Sequence, residues 1–175
     1  GEFILEWIAS GGFVGGVAET LFVQRFDNSG ASLQQPRIVN DFLGWGISFP
    51  CLTFDDSGRY LAVWADNRND QPGHYNFDIY AQLYNDNDSP VMANFRVNTP
   101  LGPTNTEERW TDVYFRNGGY HISWASWNGL AFRYDLYSNE WSYFFGRSGE
   151  YTSSIFDAGP LINDYDRLFR GAVLP

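Results

Sequence analysis

The sequence predicts an all-β protein made of about three repeated units, each a four-stranded antiparallel sheet, in a β-propeller-like arrangement. Three observations lead to this prediction. A segment of the form Gly-x-aromatic-x-x-x-Trp occurs three times and ends at Trp7, Trp64 and Trp124. Two further strand-like segments follow it at matching distances in the first two copies. No segment shows a convincing helical period.

The first landmark of each repeat is a strand. The three copies span residues 1–7, 58–64 and 118–124. In each copy the aromatic residue, the middle residue and the Trp recur at period two, so they share one face of an extended strand. The Trp residues are 57 and 60 positions apart, slightly above the period of propeller blades. We therefore expect Trp7, Trp64 and Trp124 to lie in a core.

The second and third landmarks complete the unit. Residues 21–26 match residues 79–84, and each segment is followed by Asn, Asp, Ser or Gly residues that favour a turn. The third landmark, residues 37–41, returns at 95–99 and more faintly at 160–164. These patterns predict hairpins.

The third copy differs most from the others. Its first hairpin is expected to be short, through residues 127–129. Residues 134–145 are rich in aromatic side chains and predict a second hairpin that turns around Ser138 and Asn139.

The landmarks divide one propeller domain into repeat 1 (1–49), repeat 2 (50–109) and repeat 3 (110–175). A further strand precedes the first landmark in repeat 2 (51–54) and in repeat 3 (111–115), but not in repeat 1. Propellers typically take four to eight blades. We therefore expect these repeats to belong to a longer chain, or to a ring that is closed by oligomerisation.

Composition excludes several classes of function. The 175 residues are 43% hydrophobic and carry a net charge of −10, and all 11 basic residues are Arg. Without a basic surface, nucleic acid is not an expected partner. No apolar run reaches the roughly 20 residues that span a bilayer, so membrane insertion is not expected. Cys51 is the single cysteine and is expected to be a buried structural thiol.

One polar cluster has the ligand types of a calcium site. Asp66, Asn69, Asp70 and Asp78 lie in or beside a loop that leaves a strand, and Ca²⁺ prefers such oxygen ligands. The alternative is a turn in which these side chains bond their own backbone and Arg68 pairs with a carboxylate. Ca²⁺ is the only cofactor that the sequence suggests.

Aromatic side chains in the third repeat could bind sugar rings. Trp127, Trp141 and Tyr143, together with Trp45, are candidates for an aromatic platform, although such residues also build cores. Asp112 interrupts an otherwise strand-like segment, so it is either exposed at a sheet edge or functional.

No catalytic residue is assigned. A glycoside hydrolase would need a pair of carboxylates at a suitable separation, which a sequence does not set. The candidates for such a pair are Asp55, Asp56, Asp66, Glu107, Glu108 and Asp112.

The order of motifs in residues 55–98 resembles the blade repeats of large secreted and surface-attached bacterial β-propeller proteins. That order is Gly-x-aromatic-x-x-x-Trp (58–64), Asp-x-Arg-Asn (66–69), Asp-Ile-Tyr-Ala-Gln (78–82) and Phe-x-Val-Asn (95–98). Repeat 1 fits less well because Ala9 stands where repeat 2 has Asp66. Repeat 3 fits at Tyr120, Trp124 and residues 162–163. The resemblance implies four-stranded blades and an extracellular or cell-surface setting. It implies no particular activity, because members of that family share a scaffold and not a reaction.

These features predict a non-catalytic extracellular module with a binding or structural role, such as surface adhesion or the recognition of a glycan or a protein. Two alternatives stay open. One is a propeller-type glycoside hydrolase or lyase that acts on polysaccharide. The other is a structural subunit that associates with itself through exposed sheet edges.

Overall fold

The computed structural model of the chain describes residues 1–11, 19–42, 46–69, 76–98, 107–128, 133–141 and 154–156. These residues form eleven strands and contain no helix. The predicted all-β class is therefore confirmed for the described part of the chain.

The strands form three antiparallel sheets, and neighbours in each sheet are consecutive in sequence. Sheet 1 contains β1 (Phe3–Ser10), β2 (Glu19–Phe26) and β3 (Arg37–Ile38). Sheet 2 contains β4 (Ile47–Phe54), β5 (Tyr60–Asp66), β6 (Asp78–Tyr84) and β7 (Phe95–Arg96). Sheet 3 contains β8 (Glu108–Arg116), β9 (Gly119–Asn128), β10 (Arg133–Trp141) and β11 (Ser154–Phe156).

Sheet 2 lies between the other two sheets, and both of its faces are buried. Tyr60, Ala62 and Trp64 of β5 pack with Leu21 and Val23 of sheet 1. The alternate residues of β5, which are Leu61, Val63 and Ala65, pack with Tyr120, Ile122 and Trp124 of sheet 3. Every residue of β5 and β6 is buried, as the nearly continuous apolar sequence of β5 requires.

The Val-Asn motif of the third landmark ties the short outer strand to the sheet. Asn40 Oδ1 accepts a hydrogen bond from the Leu21 amide at 2.8 Å, and Asn98 Oδ1 accepts one from the Ile79 amide at 2.9 Å. Both asparagines are buried. The motif is therefore structural, because each side chain satisfies a backbone donor at the start of an inner strand.

Two of the hairpin turns are stabilised by the same hydrogen bonds between an aspartate and a serine two residues later. Asp27 Oδ1 accepts hydrogen bonds from the amide and hydroxyl of Ser29 at 2.8 and 2.7 Å. Asp55 Oδ1 accepts the same two bonds from Ser57 at 2.9 and 2.7 Å. The sequence predicts the turn at residues 27–30, and the turn at residues 55–58 joins β4 and β5 in the same way.

Two of the long edge strands, β4 and β8, carry a bulge. The register shifts between Ser48 and Cys51 in β4, and between Arg109 and Asp112 in β8. Phe49 and Trp110 occupy the bulges with positive φ angles of 53° and 51°. The predicted strands at 51–54 and 111–115 are confirmed, and each begins earlier than expected because pairing resumes on the far side of the bulge.

Three expectations are wrong. The turn predicted at residues 127–129 begins later in the chain, because Trp127 and Asn128 lie in β9 and pair with Tyr134 and Arg133 of β10. Ser138 and Asn139 do not form a turn, since they lie within β10 and pair with Ser123 and Ile122. The cross-strand register of β9 and β10 overrides their turn preference. Trp7 does not lie in a buried core as Trp64 and Trp124 do, and it is only half-buried because no described sheet covers its side of sheet 1.

Candidate functional site

Four aromatic side chains meet where the bulges of β4 and β8 lie, and we call this group the aromatic corner: Phe49, Trp110, Trp127 and Tyr134. The Trp110 ring lies 6.0 Å from Phe49 and 4.7 Å from Tyr134, between ring centroids. Trp127 lies 5.0 Å from Tyr134. All four side chains are half-buried. The aromatic corner therefore keeps part of its ring surface open to solvent.

The bulges place two of these rings. A bulge adds a residue to one strand and re-aims its side chain. Phe49 and Trp110 both adopt the left-handed backbone region, which a bulky residue rarely occupies. The Thr111 hydroxyl donates a hydrogen bond to the Phe49 carbonyl and so joins the two bulges. Strained backbone of this kind is often found at binding sites.

Asp112 lies two residues after Trp110 on β8, which is an edge strand of sheet 3. Its side chain is exposed, and Oδ1 accepts a hydrogen bond from the adjacent Val113 amide at 2.9 Å. Asp112 is therefore exposed at a sheet edge, which is one of the two possibilities that the sequence leaves open. It also places an exposed carboxylate on the strand that carries Trp110.

Trp141 lies away from the aromatic corner. In the β9–β10 ladder Trp127 pairs with Tyr134 near one end, whereas Trp141 pairs with Tyr120 at the other end. Trp141 stacks on Phe95 at 5.2 Å between ring centroids. The structure therefore does not bring Trp127 and Trp141 together. Tyr143 and Trp45 lie outside the described residues.

Asp66 of the predicted calcium site is surrounded by hydrogen-bond donors. Its carboxylate accepts bonds from Trp64 Nε1 at 3.0 Å, from the Arg68 amide at 2.8 Å and from Arg68 Nη2 at 2.6 Å. Arg68 also lies 4.0 Å from the Tyr80 ring centroid. These hydrogen bonds are those of the alternative to a calcium site, which is a turn closed by an aspartate side chain and Arg68.

Asp78 lies directly opposite Asp66 in the β5–β6 register and has its own donors. It accepts bonds from Asn69 Nδ2 at 2.9 Å, from Asn98 Nδ2 at 3.1 Å and from the Arg96 guanidinium. Asp70 lies outside the described residues. Within the part of the chain that the structure describes, no group of three or more His, Cys, Asp or Glu side chains could hold a metal. The Ca²⁺ assignment stays a prediction.

Glu108 is a buried carboxyl group whose environment sequence reasoning did not recognise. Its side chain is 1% exposed, and Oε1 accepts a hydrogen bond from the Ser126 hydroxyl at 3.1 Å. Oε2 has no hydrogen-bond partner. Burial raises the pKa of Glu108 to about 7, and the nearby charge of Asp78 acts in the same direction. Glu108 can therefore hold a proton at neutral pH.

The repeat contains the signal that marks Glu108. In repeat 2 the residue two after the Trp is Asp66, which pairs with Ile47 in the register of β4 and β5. In repeat 3 that position is Ser126, which pairs with Glu108. In repeat 3 the carboxyl group therefore lies on the neighbouring strand, and Asn128 stands at the position equivalent to Arg68.

A second unforeseen group joins sheets 1 and 2. Arg25 of β2 donates to Asp88 through Nε at 2.9 Å and Nη2 at 2.7 Å. Its guanidinium lies 5.8 Å from the ring centroids of Phe54 and Tyr60. Asp88 is buried and has a φ of 63°. The Arg25–Asp88 ion pair and the two cation–π contacts therefore connect sheet 1 to sheet 2.

Cys51 is half-buried, and its Sγ donates to the Thr111 hydroxyl at 3.5 Å. Burial raises the pKa of the thiol to about 12. The thiol therefore stays protonated at neutral pH, as expected for a structural cysteine.

The described residues include no helix that is long and apolar enough to cross a membrane. No protein-family model matches the chain, and neither a curated protein nor a solved structure matches it.

Proposed function

We propose that the chain is a non-catalytic binding module from an extracellular or cell-surface protein, with its three sheets arranged as neighbouring propeller blades. The stacking of the sheets in chain order supports this arrangement, because blades pack face to face in sequence. The setting rests on the resemblance of residues 55–98 to blade repeats of surface proteins. The acidic, lysine-free composition is compatible with a neutral ligand.

The ligand that the geometry favours is a glycan bound at the aromatic corner. The observation that carries this proposal is the clustering of Trp110, Trp127 and Tyr134 beside the bulges of β4 and β8, with each side chain only partly buried. Apolar faces of sugar rings pack on such aromatic surfaces. Asp112 on the same strand supplies a carboxylate that can accept hydrogen bonds from sugar hydroxyl groups.

Binding of soluble β-glucan, xylan and chitin oligosaccharides, measured by isothermal titration calorimetry, tests the proposal. We expect Trp127→Ala to weaken binding at least tenfold, which corresponds to about 1.4 kcal/mol. Asp112→Asn should weaken it less. Trp141→Phe is the matched control, because Trp141 lies at the other end of the β9–β10 ladder. Unchanged affinity in Trp127→Ala, or loss of binding in Trp141→Phe alone, would show that the aromatic corner is not the site.

A hydrolase is the second candidate, and Glu108 is the observation that favours it. A carboxyl group with a pKa of about 7 beside a second carboxylate, Asp78, has the property of a general acid. Its burial argues for a structural role instead, because a catalytic acid must reach its substrate. Release of reducing ends from the oligosaccharides that bind, abolished by Glu108→Gln, would favour the hydrolase.

A further inference from the structure

Sheet 1 presents an apolar surface on the side that faces away from sheet 2. Ile4 and Ile8 of β1, with Leu21 and Val23 of β2, pack toward sheet 2. The alternate residues of both strands must therefore point the other way. We call this surface the outer face of sheet 1. Its apolar residues are Phe3, Leu5, Trp7, Ala9, Phe22, Phe26 and Ile38, and its polar residues are Thr20 and Gln24.

The outer face of sheet 1 exposes large apolar side chains to solvent. Phe3 is 40% exposed, Leu5 50% and Ile38 55%. No charged side chain lies on this face among the described strand residues of sheet 1. Gln24, which also lies there, donates its amide hydrogens to Ser32 Oγ at 2.6 Å and to the Gln34 carbonyl at 2.8 Å. An antiparallel sheet with one face in water normally alternates apolar and polar residues. Sheet 1 carries large apolar side chains on both faces, and only its inner face also holds the charged residues Glu6 and Arg25. The apolar side chains indicate that both faces are covered in the working protein.

The other two sheets show what covers such a face. Each sheet carries two cross-strand aromatic pairs between equivalent strands, which are β1 and β2, β5 and β6, and β9 and β10. The rings of these pairs are stacked except in Tyr120–Trp141, where they are tilted. In sheet 1 the Phe3 and Phe26 rings lie 5.3 Å apart and the Trp7 and Phe22 rings 5.5 Å apart. The equivalent pairs are Tyr60–Tyr84 at 4.8 Å, Trp64–Tyr80 at 6.4 Å, Tyr120–Trp141 at 6.0 Å and Trp124–Tyr137 at 6.1 Å.

The equivalent faces in sheets 2 and 3 are buried against aliphatic side chains. Trp64 is 0% exposed and packs with the aliphatic face of sheet 1. Trp124 is 4% exposed and packs with the aliphatic face of sheet 2. The aliphatic faces are formed by Ile4, Ile8, Leu21 and Val23 in sheet 1, and by Leu61, Val63, Ala65, Ile79, Ala81 and Leu83 in sheet 2. An aromatic face on an aliphatic face is thus the rule at both sheet contacts.

We propose that the outer face of sheet 1 binds a further antiparallel β-sheet of the same repeat type, which presents Leu, Val, Ile and Ala side chains to the two aromatic pairs. Aliphatic side chains of this kind pack against the aromatic pairs at the two sheet contacts seen in the chain. A second copy of this chain does not offer that surface from its described residues, because the aliphatic faces of its sheets 1 and 2 are already covered. The proposal does not depend on glycan binding.

A tethered extra repeat tests this proposal on the full chain. We would fuse residues 46–98 ahead of Gly1 through a flexible Gly/Ser linker of about 15 residues and measure amide hydrogen exchange. If the extra sheet docks, we expect exchange of the β1 and β2 amides to slow at least tenfold relative to the parent chain. The matched control is Leu5→Asp in the original sheet 1, a change at an exposed position that should leave the parent fold intact and remove the gain.

Three results would overturn the proposal. The extra repeat could be protected at its own β5 and β6 equivalents while β1 and β2 exchange as in the parent chain. It could remain unprotected itself, which would mean that the outer face of sheet 1 does not order a sheet of this chemistry. The parent chain could form a dimer in light scattering that Leu5→Asp converts to a monomer, and the occupant would then be a second copy.

Discussion

At the scale of single residues, the structure places two carboxyl groups where the repeat elsewhere carries none. Glu6 occupies the position of Val63 in repeat 2, between Ile4 and Ile8 on the face of β1 that packs on sheet 2. Its Oε1 is buried and has no hydrogen-bond partner, and burial raises the pKa of Glu6 to about 8. Glu108 has a raised pKa for the same reason. Both groups oppose folding when ionised.

Replacing Glu6 by Val should stabilise the protein at alkaline pH. A carboxyl pKa that is raised in the folded state favours the protonated form, so stability from Glu6 is fully present below its ordinary value of 4.5 and is lost as pH rises toward 8. We expect Glu6→Val to raise the free energy of unfolding by about 1–3 kcal/mol at pH 8.5 and much less at pH 5.5. Urea unfolding at the two pH values measures the effect. Asp56→Asn, at an exposed turn position, is the control. An equal gain at both pH values would mean that ionisation of Glu6 is not the cause.

At the scale of elements, each repeated motif of the sequence has a specific structural role. The Asp-x-Ser-Gly turns close hairpins, the cross-strand aromatic pairs set the register, and the Val-Asn motif anchors the short outer strands. Asn40 and Asn98 perform the same task in sheets 1 and 2, since each accepts a backbone hydrogen bond at the start of an inner strand. The motif recurs because the same buried donor recurs.

Removing one of these asparagines should therefore be costly. Asn98→Ala leaves the buried Ile79 amide without its acceptor and also removes a donor to Asp78. We expect the free energy of unfolding to fall by about 1–3 kcal/mol, as measured by urea denaturation. Asn40→Ala should have a similar effect in sheet 1, whereas Asn28→Ala, in an exposed turn, should change stability by less than about 0.5 kcal/mol. Equal small effects at all three positions would contradict a structural role for the motif.

At the scale of the whole molecule, stacked sheets are held by apolar layers and by a few polar ties across them. Arg25 of sheet 1 and Asp88 in the β6–β7 turn of sheet 2 form one such tie, and the Arg37 guanidinium adds a bond to the Asp88 carbonyl at 3.0 Å. Asp88 adopts the backbone conformation that Gly30 and Gly58 adopt in the two other turns. Aspartate adopts this region more readily than most residues other than glycine, and here its carboxylate also forms the ion pair.

The two side chains should be energetically coupled. In a double-mutant cycle with Arg25→Met and Asp88→Asn, we expect an interaction energy of about 1–3 kcal/mol, because both groups are largely removed from water. Thermal or urea unfolding of the four proteins measures it. The exposed pair Arg68–Asp41 offers a comparison in which one partner is solvated, and its coupling should be smaller. Coupling near zero for Arg25 and Asp88 would show that sheets 1 and 2 associate through apolar contacts alone.

The sequence by itself determined the fold class and most strands. Period-two segments that end in Trp, the Asp-x-Ser-Gly turns and the Val-Asn motif are local signals, and their copies within the described residues correspond to elements of the structure. The third copy of the Val-Asn landmark, at residues 160–164, lies outside the described residues. Residues 58–64, for example, predict β5 because side-chain alternation is a property of the strand itself. Local turn preference failed at Ser138 and Asn139, where pairing with β9 decided the conformation.

Only the tertiary structure decided the candidate sites. The aromatic corner joins residues of β4, β8, β9 and β10, and two bulges place its rings. Trp127 and Trp141 look equivalent in the sequence, yet the β9–β10 register separates them. Sheet stacking likewise buries Trp64 and Trp124 and leaves Trp7 partly open. Strand periodicity depends on residues that are neighbours in the sequence. The contacts between distant strands depend instead on register, bulges and the order in which the sheets stack.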